Sequence, residues 1–230
     1  MRSQQCYQLT KLEALRQEIA QLQGISRPNG LPPIPSGFAA LDQLLPERGF
    51  RAGTLVEWLA SGEGSGAATL ALATARQATA EEGVLVIVDR DGDFYPLAAA
   101  RLGIDLKRLI VVHVSNQADQ QWAADQALRC PAVAAMMMWP GSGLGKGQLD
   151  GRTFRRLQLA AEEGGSLGLL IRPAAVQEEP SWADVRLLVQ PLPADTARNG
   201  QSQWRPRVRI VLLRGPGGST GRDVVLEIDT

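Results

Sequence analysis

Ser61-Gly62-Glu63-Gly64-Ser65-Gly66-Ala67-Ala68 stands between an apolar run and an alanine-rich helical stretch. A glycine-rich turn in that context points backbone amides at whatever lies before the helix, the arrangement that holds a phosphate. The working form of such a loop is G-x-x-x-x-G-K-[ST]. Gly66 stands at its second glycine, and Ser61 replaces the first. Ala67 occupies the place of the lysine that neutralises the terminal phosphates, and Ala68 that of the hydroxyl that ligates magnesium. Thr69 is one residue late, a rotation of about 100° on a helix. Gly62, Gly64, Ser65, Gly66 and Thr69 are therefore the candidate residues of a degenerate phosphate loop, to which Glu63 adds a negative charge. Amides at a helix start hold an anion weakly. Without lysine and a metal ligand, the charge that develops in phosphoryl transfer goes unsupported. The loop reads as a structural relic, with no cofactor expected and ATP as the alternative.

The remaining reactive side chains are few. Cys6 and Cys130 cannot make a disulfide framework or a zinc site, and read as free thiols of a reducing compartment. His113 lies in Val111-Val112-His113-Val114 with no ligand set beside it and reads as structural. Met136-Met137-Met138 reads as plastic filling of a buried strand. From Thr196 to Arg222 there are six arginines, Trp204 and no acidic residue. That run admits three readings: a solvated or edge-protecting face, an anchor for a protein partner, or a grip on single-stranded DNA. Its contact candidates are Arg198, Trp204, Arg205, Arg207, Arg209 and Arg214.

These residues need a scaffold, and the chain is long enough to supply one. Its 230 residues suit one domain with a sizeable core and are too few for two large ones. Hydrophobic residues make up 44% and charged residues 21%, an ordinary globular balance. Lys plus Arg equals Asp plus Glu at 24 each, which excludes coating nucleic acid by bulk charge. No apolar run reaches membrane-spanning length and no signal peptide is read, so a cytoplasmic location is expected. Leu9, Leu12, Ile19 and Leu22 recur at helical spacing over residues 5 to 23, and a linker rich in Gly and Pro follows. The expected division is therefore residues 1–30 as amphipathic helix and linker, and 31–230 as core. The first helix either packs back on its own core or docks on a partner.

From Ile34 onward short apolar runs alternate with helical stretches. Strands are expected over Thr54–Leu59, Val84–Asp89, Leu109–Val114, Val133–Trp139 and Leu167–Arg172. Helices are expected over Ala67–Glu81, Pro96–Leu102, Gln117–Arg129 and Arg152–Glu163. Such alternation implies parallel pairing with right-handed crossovers. Val185–Gln190, Arg207–Arg214 and Val224–Ile228 read as strands that extend the sheet as an antiparallel edge.

The order of these pieces resembles the RecA recombinase core. Ile34-Pro35-Ser36-Gly37-Phe38 and Leu41-Asp42 look like the motif before its first core strand, and Val84 to Asp105 like its second strand and helix. The late strands match at Arg207 to Val211 and Leu226 to Ile228. Within that superfamily the chain is similar to the ImuA group, SulA-like and RecA-related partners of mutagenic translesion synthesis. Phe38 to Pro46, Gly53 to Glu57, Arg155 to Glu162 and Gly168 to Pro173 carry that closer resemblance. The resemblance implies a three-layer α/β RecA-like core with a mostly parallel sheet. It also implies a non-catalytic SOS accessory factor that binds an ImuB-type Y-family-like protein and RecA, beside an error-prone polymerase.

Transferred to this chain, the family's water-orienting glutamate falls at Asp91, one methylene shorter. The competing reading of Asp91-Gly92-Asp93 is a turn at a strand end. The strand that should end in a magnesium-associated Asp ends in Trp139. Arg172 lies near the place of the γ-phosphate sensor and is expected to pair with a carboxylate or a partner. The first of the two DNA loops would fall at residues 140–151 with only Lys146. The second, residues 173–184, holds Glu178, Glu179 and Asp184 and no basic residue. The inherited DNA route is thus expected to be closed. The N-terminal helix resembles the one RecA uses to reach its neighbour, which implies oligomerisation or docking on RecA. A RecA-class ATPase and a SulA-type inhibitor of FtsZ are the alternatives.

Overall fold

A computed structural model describes residues 32–81, 83–140, 149–193 and 206–228. The expected helix over residues 5 to 23, with Cys6, lies outside the described residues. So do the middle of the first loop at 141–148 and Arg198, Trp204 and Arg205 of the arginine run. Pro32–Thr230 forms a compact unit of its own.

In chain order the elements are α1 (Ala39–Leu44), β1 (Leu55–Ala60), α2 (Ala67–Ala78), β2 (Val84–Asp89), α3 (Pro96–Arg101), β3 (Leu109–His113) and α4 (Gln117–Arg129). They continue with β4 (Val133–Met138), α5 (Gly151–Gly164), β5 (Leu167–Pro173), β6 (Val185–Leu192), β7 (Arg207–Arg214) and β8 (Asp223–Glu227). One eight-stranded sheet runs in the order β3-β2-β4-β5-β1-β6-β7-β8. Its first six strands are parallel, and β7 and β8 are antiparallel additions. The fold is the α/β one, with a mostly parallel sheet, that the alternation implies.

Strands in the middle of a parallel sheet are covered on both faces, so they read as unbroken apolar runs. Val84–Asp89 and Val133–Met138 have this character, and all three consecutive methionines are fully buried. On one face of the sheet α1, α2 and α3 contribute Leu41, Leu70, Ala71 and Ala99 to the larger core. On the other face α4 and α5 contribute Leu128, Phe154 and Leu157 to a second core with Leu55 and Leu170. Among the described residues no helix is long and apolar enough to cross a membrane.

Two expectations change. The strand at Val185 does not join an antiparallel edge: β6 pairs in parallel with β1, from Val56↔Val185 to Ala60↔Val189. The chain crosses from β5 to β6 over β1 on a short connection with a single 3-10 turn, Ala174–Val176. Asp184 fixes the landing, because its N–H donates to the Leu55 carbonyl (2.9 Å) and its carboxylate accepts the Leu55 N–H (3.0 Å). The helix expected to reach Glu81 stops at Ala78. Thr79 turns its hydroxyl back onto the Ala75 and Arg76 carbonyls (3.1 and 3.2 Å), which closes the last turn. Helix α1 has no counterpart among the expected helices. Its six residues are too few to be stable alone, and burial of Leu41 and Leu44 holds them.

Candidate functional site

Parallel strands bring their C-terminal ends to one edge of the sheet, where ligands of open α/β sheets bind. That edge gathers the Ser61–Gly66 loop, the Asp89–Asp93 turn, Trp139 and the chain leaving β5.

The loop leaves β1 and enters α2. The Ser61 N–H donates to the Val189 carbonyl (3.1 Å), and the Ser65 N–H donates to the Gly62 carbonyl (3.3 Å). Gly66 caps α2 in the left-handed region at φ +86°, where a glycine costs least. A Cβ there would lie 3.0 Å from Ile228 Cδ1 and 3.3 Å from Val208 Cγ1. Ile228, Val208 and Leu226 belong to the larger core, and so does Ala67, which is 2% exposed. The position where a phosphate loop carries its lysine is therefore buried in the apolar core, next to the glycine that the C-terminal residues Val208 and Ile228 approach. Ala68 is packed against the same cluster. Gly62 and Gly64 face open space, Ser65 is buried and Thr69 is half-buried on the first turn.

Asp89, not Asp91, organises the neighbouring turn. Its buried carboxylate accepts the N–H groups of Gly92 (2.9 Å), Asp93 (3.3 Å) and Phe94 (3.2 Å). Asp91 forms a two-pronged contact with Arg90, at 3.1 Å to both nitrogens. The segment after β2 thus bends around the Asp89 carboxylate. His113 lies beside it, with Nδ1 3.8 Å from Asp89 and an exposed ring. Trp139, in the place of the metal-associated acid, packs on Phe94 with ring centroids 6.4 Å apart. Its carbonyl accepts the Gln120 side-chain amide (2.9 Å). Among the described residues no cluster of three His, Cys, Asp or Glu stands ready to hold a metal.

The strongest polar assembly was only half visible in the sequence. Arg172, on β5, is buried and donates to Glu57 of β1 (2.6 Å) and to Glu179 (2.8 Å). Its guanidinium also lies 5.8 Å from the Phe154 ring centre. Glu57 is fully buried; it accepts the Ser181 hydroxyl (2.6 Å) and contacts Arg186 Nε of β6 (2.6 Å), a charge contact without a well-aligned hydrogen bond. Arg186 donates instead to the Gln177 and Val176 carbonyls (3.0 Å each). One carboxylate thus ties β1, β5, β6 and the connection above them. Arg172 pairs with carboxylates, as its expected role allowed. The signal for its partner was a single glutamate inside Leu55-Val56-Glu57-Trp58-Leu59, an otherwise apolar strand.

The described part of the arginine run is not a bare cationic patch. Its β7 residues do not lie on the sheet edge, because β8 covers β7. Arg209 pairs with Asp223 (2.9 Å), the first residue of that added strand, and this contact holds the Asp223 carboxyl below its usual range. Arg214 donates to the Ser181 carbonyl (2.7 Å), Arg222 to the Gln43 carbonyl (3.3 Å), and Arg207 stands in register with Glu227. The acids sit just beyond the stretch that looked acid-free.

Comparison with known proteins agrees with this architecture. The chain is 35% identical to Protein RecA of Picosynechococcus sp. over 100 residues, which are 44% of this chain and 28% of that protein. Against Protein RecA of Bifidobacterium breve the identity is 33% over 105 residues, 46% of this chain and 26% of that protein. Against that of Chlorobaculum parvum it is 38% over 78 residues, 34% and 22%. The matched stretches span about a quarter of the length of these relatives. The profile of the RecA N-terminal domain matches residues 16–138, more than half of the chain, and the chain belongs to that family.

Proposed function

We propose that this RecA-family chain is a non-catalytic accessory subunit of SOS-induced DNA repair and mutagenic translesion synthesis, of the ImuA kind. Its partners on this reading are an ImuB-type Y-family-like protein and RecA, within an error-prone polymerase assembly. The observation that carries it is the filling of the nucleotide loop. Ala67 is buried with Ile228, Val208 and Leu226 where a cation should face phosphate. Trp139 packs on Phe94 where an acid should face magnesium. A scaffold that keeps its sheet and gives up these groups is suited to contact rather than to phosphoryl transfer. Co-expression with an ImuB-type protein should yield a complex that co-purifies through gel filtration; two folded proteins that elute separately would count against the reading.

The exposed, unobstructed loop at Gly62 and Gly64 favours a second reading, a RecA-class ATP-binding protein. Isothermal titration with ATP and magnesium separates the two. Weak or absent heat supports the accessory role. A Kd below about 100 μM that is lost in Asp91→Ala would establish the alternative.

A further inference from the structure

The outward face of α5 breaks the usual charge order of a helix. Cations are favoured near a C-terminus and disfavoured near an N-terminus. Yet Arg152, Arg155 and Arg156 all stand in the first half of α5, and Glu162 and Glu163 in its last turn. The helix start does not call for them, because Asp150 already caps it by accepting the Thr153 N–H (2.7 Å). Arg152, Arg155, Arg156 and Leu159 recur at i, i+3, i+4 and i+7, a single stripe. The other side of the helix buries Phe154, Leu157 and Ala161. Glu163 and Arg156 have partners on α4, Arg129 and Asp125; Arg152 and Arg155 have no such partner among the described residues of α4, and sequence rules broken in this way mark functional surfaces.

Trp182 completes this stripe. It sits on the connection between β5 and β6, and its indole Nε1 lies 3.9 Å from where a Cβ on Gly151 would be. Trp182 is 47% exposed and Leu159 43%. The Arg155 guanidinium lies over the Trp182 ring, 5.1 Å from its centre, and its other contact is the neutral Gln158 amide. Arg156 is shared with Asp125 of α4 (3.5 Å). The result is an open groove lined by Trp182, Leu159, three arginines and a single acid, Asp150.

We propose that this groove docks an acidic peptide segment of a partner protein. One aromatic or leucine side chain of the segment enters between Trp182 and Leu159, and its carboxylates pair with Arg152 and Arg155. Tryptophan and arginine are the residue types that dominate binding energy at such contacts. Single-stranded nucleic acid fits the groove less well. Base stacking needs a bare aromatic face, and Arg155 already covers one face of Trp182. The groove would be one contact surface of the accessory protein proposed above, a reading on which the peptide measurement does not depend.

The test is fluorescence polarisation of the full chain with a short labelled peptide of Asp and Glu around a Leu and a Phe. Saturable binding in the micromolar range, weakened by salt, is expected. Trp182→Ala and Arg155→Glu should each weaken it about tenfold or more, with circular dichroism confirming that both variants fold. Arg101→Glu, exposed on α3, should leave it unchanged. A photoreactive phenylalanine at the apolar position of the peptide should cross-link to α5 or to Trp182. The proposal is overturned by any of four results: no saturation with the acidic peptide; equal binding by both variants; equal binding of a peptide with Lys for its acids; or cross-links elsewhere. Tight binding of oligothymidylate with no peptide binding would assign the groove to nucleic acid instead.

Discussion

Glu57 holds three strands with one carboxylate. Its removal leaves two arginines, Arg172 and Arg186, buried beside each other with less negative charge to face. A buried charge that loses its partner typically costs about 3–5 kcal/mol. Glu57→Gln should therefore lower the free energy of urea unfolding by about that amount. Replacing Glu57, Arg172 and Arg186 together by apolar residues of similar volume should recover most of the loss, because the desolvation of three ions is then avoided. Equal stability of Glu57→Gln and the parent chain would show that the Glu57 charge does not support the two arginines. At this scale the sequence is a partial guide. The missing lysine, hydroxyl and acid were legible at Ala67, Ala68 and Trp139, because a motif specifies residue types at fixed spacing. The apolar core around Ala67 was not, since Ile228 lies far along the chain and only the fold brings it to Gly66.

Among the elements, α5 carries the clearest pH dependence. The Thr153 N–H holds the Asp150 carboxyl below its ordinary range, with smaller help from Arg152. A depressed folded-state pKa contributes stability above the unfolded value of about 3.9, and that contribution disappears as pH falls through the folded value. Asp150→Ala should thus melt earlier than the parent at neutral pH, and the two curves should converge as pH falls below the unfolded value of about 3.9. Thermal melts monitored by circular dichroism across that range check it; a constant gap down to low pH would mean that charge plays no part in the cap. The helices α4 and α5 and the strands β2, β4 and β7 were readable to within a residue or so from apolar periodicity. The direction of β6 was not. Apolar alternation marks a strand but says nothing of which neighbour it joins, and here a short connection carries the chain over β1 to a parallel partner.

At the scale of the whole molecule, the body from Pro32 onward is a compact unit that holds both hydrophobic cores. Residues 1–30 are proposed to reach a neighbouring protein through the Leu9, Leu12, Ile19 and Leu22 stripe. Their deletion should leave the melting temperature of the body unchanged while reducing partner binding or oligomer size in light scattering after gel filtration. No change in either would assign the stripe no part in assembly. The sheet order also bears on how the chain comes into being. The stretch that matches the RecA N-terminal domain ends at residue 138, whereas both neighbours of β1 are β5 and β6, which lie beyond it. The contact from Glu57 to Arg172 closes a loop of 115 residues. During synthesis β1 must therefore wait, both edges bare, until most of the chain has left the ribosome. The half that matches the RecA N-terminal domain thus holds β1 without either of its two neighbours in the sheet.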